Sequence, residues 1–273
     1  MATTRIGLDR LPPAARAAVE EHTGRLLTVE ESTEGFNSEI AARVTSATGT
    51  WHIKGLRTDH PRAWTQHREA AIAPFLTGLA PALRWRVESA GWDLLGFEAL
   101  DGHHADYAPG SPDLPEVATL LRSLDETPCP GIELRHAEQR LEHYTANPDD
   151  LRYFAGTHLL HTDLNNANVL VDADAPRGDR ARLVDWAWAT RGAAWLDAGY
   201  WIIWLIAAGH TPASAEHWAA EIPSWQTAPA EGITAFAAAN ANLWSDISSA
   251  DPAPWTFRLV TAANVWHAHR RTG

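Results

Sequence analysis

The stretch His161-Thr162-Asp163-Leu164-Asn165-Asn166-Ala167-Asn168-Val169-Leu170-Val171 decides how the rest of the chain is read. It sets a His, an Asp and an Asn in a polar loop directly before an apolar strand. Asp163 and Asn168 are five residues apart, close enough for one loop to aim both oxygens at a shared site. Seventeen residues past Asn168 the chain reads Arg182-Leu183-Val184-Asp185-Trp186, a second carboxylate at the end of an apolar run. The two runs, 169–171 and 181–184, joined by the polar turn 172–180, predict a hairpin. Asp and Asn oxygens with room for water suit Mg²⁺, a hard cation that takes few protein ligands and completes its shell on substrate phosphates.

Upstream lies a compositional oddity. Lys54 is the only lysine among 22 basic residues. Where arginine serves every other positive charge, a surviving ammonium is a candidate for chemistry that a planar guanidinium does not perform. Lys54 falls on a predicted strand from Thr50 to Leu56, sharing one face with His52 while Trp51 and Ile53 share the other. An earlier strand is predicted where Ile40, Ala42 and Val44 alternate with Ala41 and Arg43. Next, a helix capped by Thr58 or Asp59, with Pro61 in its first turn, carries an apolar stripe of Ile72, Phe75, Leu76 and Leu79. Glu69 lies three residues before Ile72 on that inward face, and a carboxylate there calls for a cationic partner. Phosphoryl transfer needs this inventory: Mg²⁺ on the nucleotide phosphates, a Lys to neutralise charge, and a carboxylate to orient the acceptor hydroxyl. Asp163 is then the orienting base, Asn168 and Asp185 the metal ligands, and Lys54, paired with Glu69, the phosphate contact.

With these residues in order, the chain resembles the aminoglycoside phosphotransferase family, relatives of the protein kinases. His161, Asp163 and Asn168 match the family's H-x-D-x-x-x-x-N loop, and Asp185 matches its metal-binding aspartate. Gly192 and Asp197 follow that aspartate by seven and twelve residues, as in the family pattern. The likeness runs from about residue 26 to about residue 210. It implies that Glu98, Ala99 and Leu100 form the nucleotide hinge, with backbone hydrogen bonds to the base. It also implies that Asp197 holds the catalytic loop from the following helix. His161, on its own reading, is expected to brace that loop rather than act as acid or base. The segment Ser32-Thr33-Glu34-Gly35-Phe36-Asn37-Ser38 stands where the phosphate loop is expected. With one glycine it offers few freely oriented N–H groups, so Gly35 is joined by the polar side chains of Asn37 and Ser38 as expected nucleotide contacts. Asn165 departs from the Lys or His common two residues after the base, and Trp186-Ala187 replaces Phe-Gly, which disfavours a peptide substrate.

The expected fold class is α+β, a two-lobed protein kinase-like fold with a small β-rich N-lobe and a larger, mainly helical C-lobe. The expected domains are a nucleotide-binding lobe at 1–97, a hinge at 98–104 and a catalytic and substrate-binding lobe at 105–273. Further strands are predicted at 83–88 and 92–97, and helices at 12–21, 115–124, 137–144, 194–208, 212–221, 234–245 and 255–269. His103-His104 reads as part of a solvated linker. Ten of the fourteen tryptophans lie from Trp186 onward, most of them expected in the core and a minority free to wall a substrate.

A net charge of −12 argues against sequence-independent binding of nucleic acid and suits a cationic partner. A single cysteine, Cys129, excludes an intrachain disulfide and a cysteine-based zinc site. The first residues lack the apolar run of a signal peptide, and the run from Trp195 to Gly209 is too short to span a bilayer, so a cytoplasmic protein with no membrane partner is expected. The expected activity is transfer of the γ-phosphoryl group of ATP or GTP, with Mg²⁺, to a hydroxyl of a small molecule. Aminoglycosides and other antibiotics fit the resemblance and the acidic balance. Metabolite kinases of the choline, sugar or homoserine type fit the same residues. A nucleotide-binding pseudoenzyme or regulatory module is the alternative from another class, favoured by the thin phosphate loop.

Overall fold

The structure, a computed structural model, describes residues 5–32 and 38–272. The chain divides into two compact units, 1–102 with 182–187 and 103–181 with 188–273.

The first unit is built on one antiparallel sheet. Its strands are β1 (Leu26–Glu31), β2 (Ile40–Ser46), β3 (Gly49–Arg57), β4 (Leu83–Ser89) and β5 (Trp92–Glu98), in the order β1-β2-β3-β5-β4. Before it comes helix α1 (Pro13–Thr23), begun by two prolines whose missing N–H groups the first turn does not need, and ended by Gly24 at φ +73°. Ala15 and Val19 of α1 bury against Ile40, Ala42, Val44, Ile53, Trp85 and Leu94 of the sheet. Gly96 on β5 faces Trp85 on β4, and a Cβ at Gly96 would lie 2.0 Å from the indole. The same indole stacks on His22 of α1 at 5.0 Å, so the glycine makes room for the ring that ties helix to sheet.

Helix α2 (Ala63–Ile72) departs from expectation at both ends. Thr58 does not cap it: its N–H and hydroxyl both bond Gly91 O, and the helix begins five residues later. At the far end Pro74 cannot supply the next backbone N–H, so the chain tightens into a 3₁₀ turn over Ala73–Phe75. Ile72, Leu76 and Leu79 stay buried, but the turn swings Phe75 out to 46% exposure. Residues 182–187 join this unit, with Leu183 N–H donating to Leu79 O at 2.8 Å.

The second unit is mainly helical. Small strands frame it: β6 (His103–His104), β7 (Arg135–His136), β8 (His158–Leu160), β9 (Val169–Val171) and β11 (Thr190–Gly192), while β10 (Ala181–Leu183) carries the chain into the first unit. β6 pairs antiparallel with β9, and β11 lies between β7 and β8. The doublet His103-His104 is therefore a short strand, and His103 Nε2 is 2.9 Å from Asp113. The Asp172 N–H bonds Arg180 O, closing the turn between the two apolar runs.

The helices are α3 (Leu114–Asp125), α4 (Ala137–Leu141), α5 (Leu196–Ala207), α6 (Pro212–Ala219), α7 (Pro223–Gln226), α8 (Ala230–Ala250) and α9 (Pro254–Thr272). α5 is buried almost all round, and Gly199 on it makes room for Phe236 of α8, whose ring meets Phe154, Trp195, Tyr200 and Trp266 edge to face. Much of the late tryptophan content is thus core, while Trp204, Trp244 and Trp255 stay half-buried in a second edge-to-face chain. Among the described residues no helix is long and apolar enough to cross a membrane.

Candidate functional site

In the first unit the middle of β3 places Lys54 opposite Ala41 of β2 and Leu95 of β5. Its Nζ lies 2.7 Å from Glu69 Oε1 on α2 and 3.5 Å from Asp185 Oδ1. All three side chains are nearly closed to solvent, at 13%, 8% and 15% exposure. Glu69 also accepts the backbone N–H of Trp186, which fixes the segment bearing Asp185. Asp185 stands at φ +62°, a costly conformation for a residue with a Cβ. Burial pushes the Lys54 ammonium down, but Asp185 and Glu69 together outweigh it and hold its pKa above the ordinary value. Burial pushes Glu69 up, and the Asp185 charge adds to that, while Lys54 and the Trp186 N–H draw it back. One ammonium thus serves two carboxylates.

Two further basic groups here carry no motif. Arg5 lies within electrostatic reach of Asp185 and Glu31, its pKa lowered by burial and drawn back up by those two acids. His52, beside Lys54 on β3 and opposite Arg43 on β2, has its pKa lowered from 6.5 to about 4, by burial first and then by Lys54, Arg5 and Arg43. His52 is therefore neutral at neutral pH. As one arginine among many, Arg5 gave no signal in the sequence.

Of the expected nucleotide contacts, Gly35 and Asn37 lie outside the described residues. Ser38 is described and buried, next to Glu39, whose carboxylate accepts Arg57 N–H at 2.9 Å. At the end of β5 the Glu98 N–H is spent on Ala82 O, and the Glu98 carboxylate on Arg84 at 3.0 Å. Ala99 is half-buried, and Leu100 O accepts Arg43 Nη1 at 2.7 Å. Part of the expected hinge backbone is thus engaged within the unit itself.

In the second unit β8 delivers the chain to His161, which is fully buried. The N–H groups of His161 and Thr162 both donate to Asp197 at the start of α5, each at 2.8 Å, so the loop is held from below as the resemblance implies. Burial raises the Asp197 pKa from 3.8 to about 6, against the pull of those two N–H groups and Arg140. The Asp163 N–H points at His161 Nδ1 at 3.3 Å, so that nitrogen carries its lone pair and braces the loop. Asn165 caps the 3₁₀ turn Asn166–Asn168 through the Ala167 N–H. Asn168 Nδ2 then donates to Asp163 O at 3.1 Å, which pins the amide and directs its Oδ1 away from that bond. The oxygen so presented, and the carboxylate of Asp185, are the hard donors that Mg²⁺ prefers. Tyr107 is buried, and its pKa is raised by burial and by the Asp163 charge. Gly192 is required by packing, since a Cβ there would lie 2.6 Å from Ala137 and 2.8 Å from Leu160.

Lys54, Glu69 and Asp185 are thus gathered in the first unit, and His161, Asp163, Asn168 and Asp197 in the second. No protein-family model matches the chain, and no curated protein does. Solved structures share its fold. A thermostable mutant of aminoglycoside phosphotransferase APH(4)-Ia, in a ternary complex with ADP and hygromycin B, aligns over 94% of this chain and 98% of its own at 14% identity and TM-score 0.63. Choline kinase LicA from Streptococcus pneumoniae aligns over 93% and 98% at 14% identity and TM-score 0.62. The GDP complex of aminoglycoside 2'-phosphotransferase-IIIa aligns over 90% and 94% at 13% identity and TM-score 0.60. The chain has the protein kinase-like α+β fold of these solved structures, at a sequence identity of 13–14%.

Proposed function

We propose that this chain is a small-molecule kinase that moves the γ-phosphoryl group of ATP or GTP to a hydroxyl of its substrate. The observation that supports it most is the Lys54 ammonium, the chain's only one on a side chain, held between Glu69 and Asp185 on a β-strand of this fold. Lys54 contacts the nucleotide phosphates and Glu69 holds it there. Asp185 and Asn168 are the oxygen donors for Mg²⁺, which when bound neutralises phosphate charge. Asp163 accepts a hydrogen bond from the acceptor hydroxyl and orients it in line with the phosphorus. His161 and Asp197 keep Asp163 in place. Ser38, with Gly35 and Asn37, covers the phosphates, and the backbone at Glu98, Ala99 and Leu100 receives the base through groups not already engaged. The proposed lobes follow the expected limits, 1–97 and 105–273 about a hinge at 98–104, and the proposed place of action is the cytoplasm.

The nucleotide donor is supported by the ADP and GDP held by the structural neighbours. An aminoglycoside or related antibiotic, as in a resistance enzyme, is the first acceptor class, since the net charge of −12 favours a polycation. Choline-type metabolites form the second, because choline kinase shares the fold as closely as the antibiotic kinases do. The test is a panel of hydroxylated antibiotics and metabolites with γ-labelled ATP and GTP, read by transfer of label. Transfer that requires Mg²⁺ and disappears in Asp185→Ala is expected. No transfer to any acceptor, together with no Mg²⁺-dependent nucleotide hydrolysis, would leave a nucleotide-binding module instead.

A further inference from the structure

Thr162 lies between His161 and Asp163 at φ +67°. A β-branched residue is a pronounced outlier in that region, and glycine would occupy it freely. Such a conformation persists only where its surroundings impose it. The backbone is held by the Asp197 bonds, but those use N–H groups, which any residue would supply. What distinguishes threonine is its hydroxyl, and the hydroxyl is fully engaged. Arg140 Nη1, from α4, donates to Thr162 Oγ1 at 2.5 Å and to Thr190 Oγ1 on β11 at 2.6 Å. Each hydroxyl passes its own hydrogen to Trp188 O, at 3.2 Å from Thr162 and 2.7 Å from Thr190. The guanidinium sits over the Trp188 ring, 5.4 Å from its centroid. Thr190 is fully buried and pairs with Leu160, the last residue before His161. Polar hydrogens and acceptors thus close into one network, with a planar cation at its centre and the strained residue on its rim.

We propose that Arg140 is a positioning residue of the His161–Asp163 loop, gripping the Thr162 hydroxyl so that the left-handed turn persists and the Asp163 carboxylate keeps its direction. The loop then has two holds of different kind, Asp197 on its backbone and Arg140 on a side chain. A cation on the second hold also draws the Asp197 carboxyl toward its charged form, the state that accepts both N–H groups. The catalytic consequence rests on the phosphotransferase proposal above, whereas the geometric one stands without it.

Three single variants and one double test it: Arg140→Met keeps the stem and removes the donors, Thr162→Val keeps the shape and removes the hydroxyl, and Thr162→Ser keeps the hydroxyl. Arg140→Met and Thr162→Val are each expected to lower kcat by about 10- to 100-fold, the scale set by an ångström-level misplacement, with nucleotide KM within about twofold. Thr162→Ser is expected to stay within about threefold of the parent, and Arg140→Met/Thr162→Val to be no worse than either single variant, because both cut one link. Amides of His161 and Thr162 are expected to exchange hydrogen at least about tenfold faster in Arg140→Met, while distant core amides keep the parent rate. Parent-like kcat in a folded Arg140→Met, or additive losses in the double variant, would overturn the proposal. If the parent itself turns over no nucleotide, the phosphotransferase proposal fails, and the exchange rates alone decide: unchanged amides at His161 and Thr162 overturn Arg140's role. Should Arg140→Met not fold, the contrast between Thr162→Val and Thr162→Ser decides the matter, equal kcat and equal exchange in the two overturning the role.

Discussion

At the scale of single residues, Lys54 and Asp163 have different work and should fail differently. Asp163 is half-buried, on a loop whose backbone is bonded at the N–H groups of His161 and Thr162 and at the Asp163 carbonyl, so truncating its side chain leaves that scaffold standing. Asp163→Ala is expected to lower kcat on the order of 10³-fold, within the range of a lost acid–base group, and to leave nucleotide affinity within about threefold by calorimetric titration. Undiminished turnover would remove Asp163 from its proposed role. Lys54 is different because its charge also offsets the repulsion between two carboxylates in a nearly closed space. Removing it would expose Glu69 and Asp185 to mutual repulsion, so loss of stability would accompany loss of rate.

Elements set where those residues stand, and here much was legible in the sequence. The 161–171 stretch reads plainly because its chemistry is local: three polar side chains at fixed spacing before an apolar strand. Lys54 on a strand and Glu69 on an inward helical face were legible for the same reason. Edges and tiny strands were not. β1 is exposed along almost its whole length, so it has no buried face to write an alternating pattern, and β7, β8 and β11, at two or three residues, are too short to show a period. The start of α2 follows no cap signal because Thr58 looks like a cap but is held by Gly91 in the turn between β4 and β5. The link from Arg140 to Thr162 spans 22 residues and follows no motif, so only coordinates reveal it.

Gly96→Ala, which puts a carbon into the Trp85 indole, is expected to cost about 1–3 kcal/mol as overpacking, read as a lower denaturation midpoint with altered tryptophan fluorescence. Asp197 accepts its two N–H groups most strongly as a carboxylate, so protonating it near pH about 6 should weaken those two bonds and give kcat an acid limb there, even though burial favours the neutral form for the fold as a whole. A limb near the ordinary carboxylate range would contradict this.

For the molecule as a whole, acid should act through opposing groups. The folded pKa of His52 is lowered from 6.5 to about 4, so its neutral form contributes stability above pH 6.5 that is lost as pH falls toward about 4. Asp197 runs the other way: its pKa is raised, so its contribution is complete below 3.8 and is lost as pH rises through about 6. The two partly offset between pH 4 and 6. His52→Gln removes one side of that balance. Its unfolding free energy, relative to the parent, is expected to rise on acidification below pH 6.5 by at most about 1.4 kcal/mol per pH unit, measured by urea titration. A difference that stays constant from pH 7 to 4 would show that His52 titrates normally.

The one-lysine composition gives the molecule a built-in reporter. Nitrogen-15 placed in the lysine side chain alone would yield a single resonance, and that resonance would arise from the Nζ wedged between Glu69 and Asp185. Titrating nucleotide, magnesium or acceptor against such a sample would follow the charged heart of the first unit directly, with no assignment problem and no mutation.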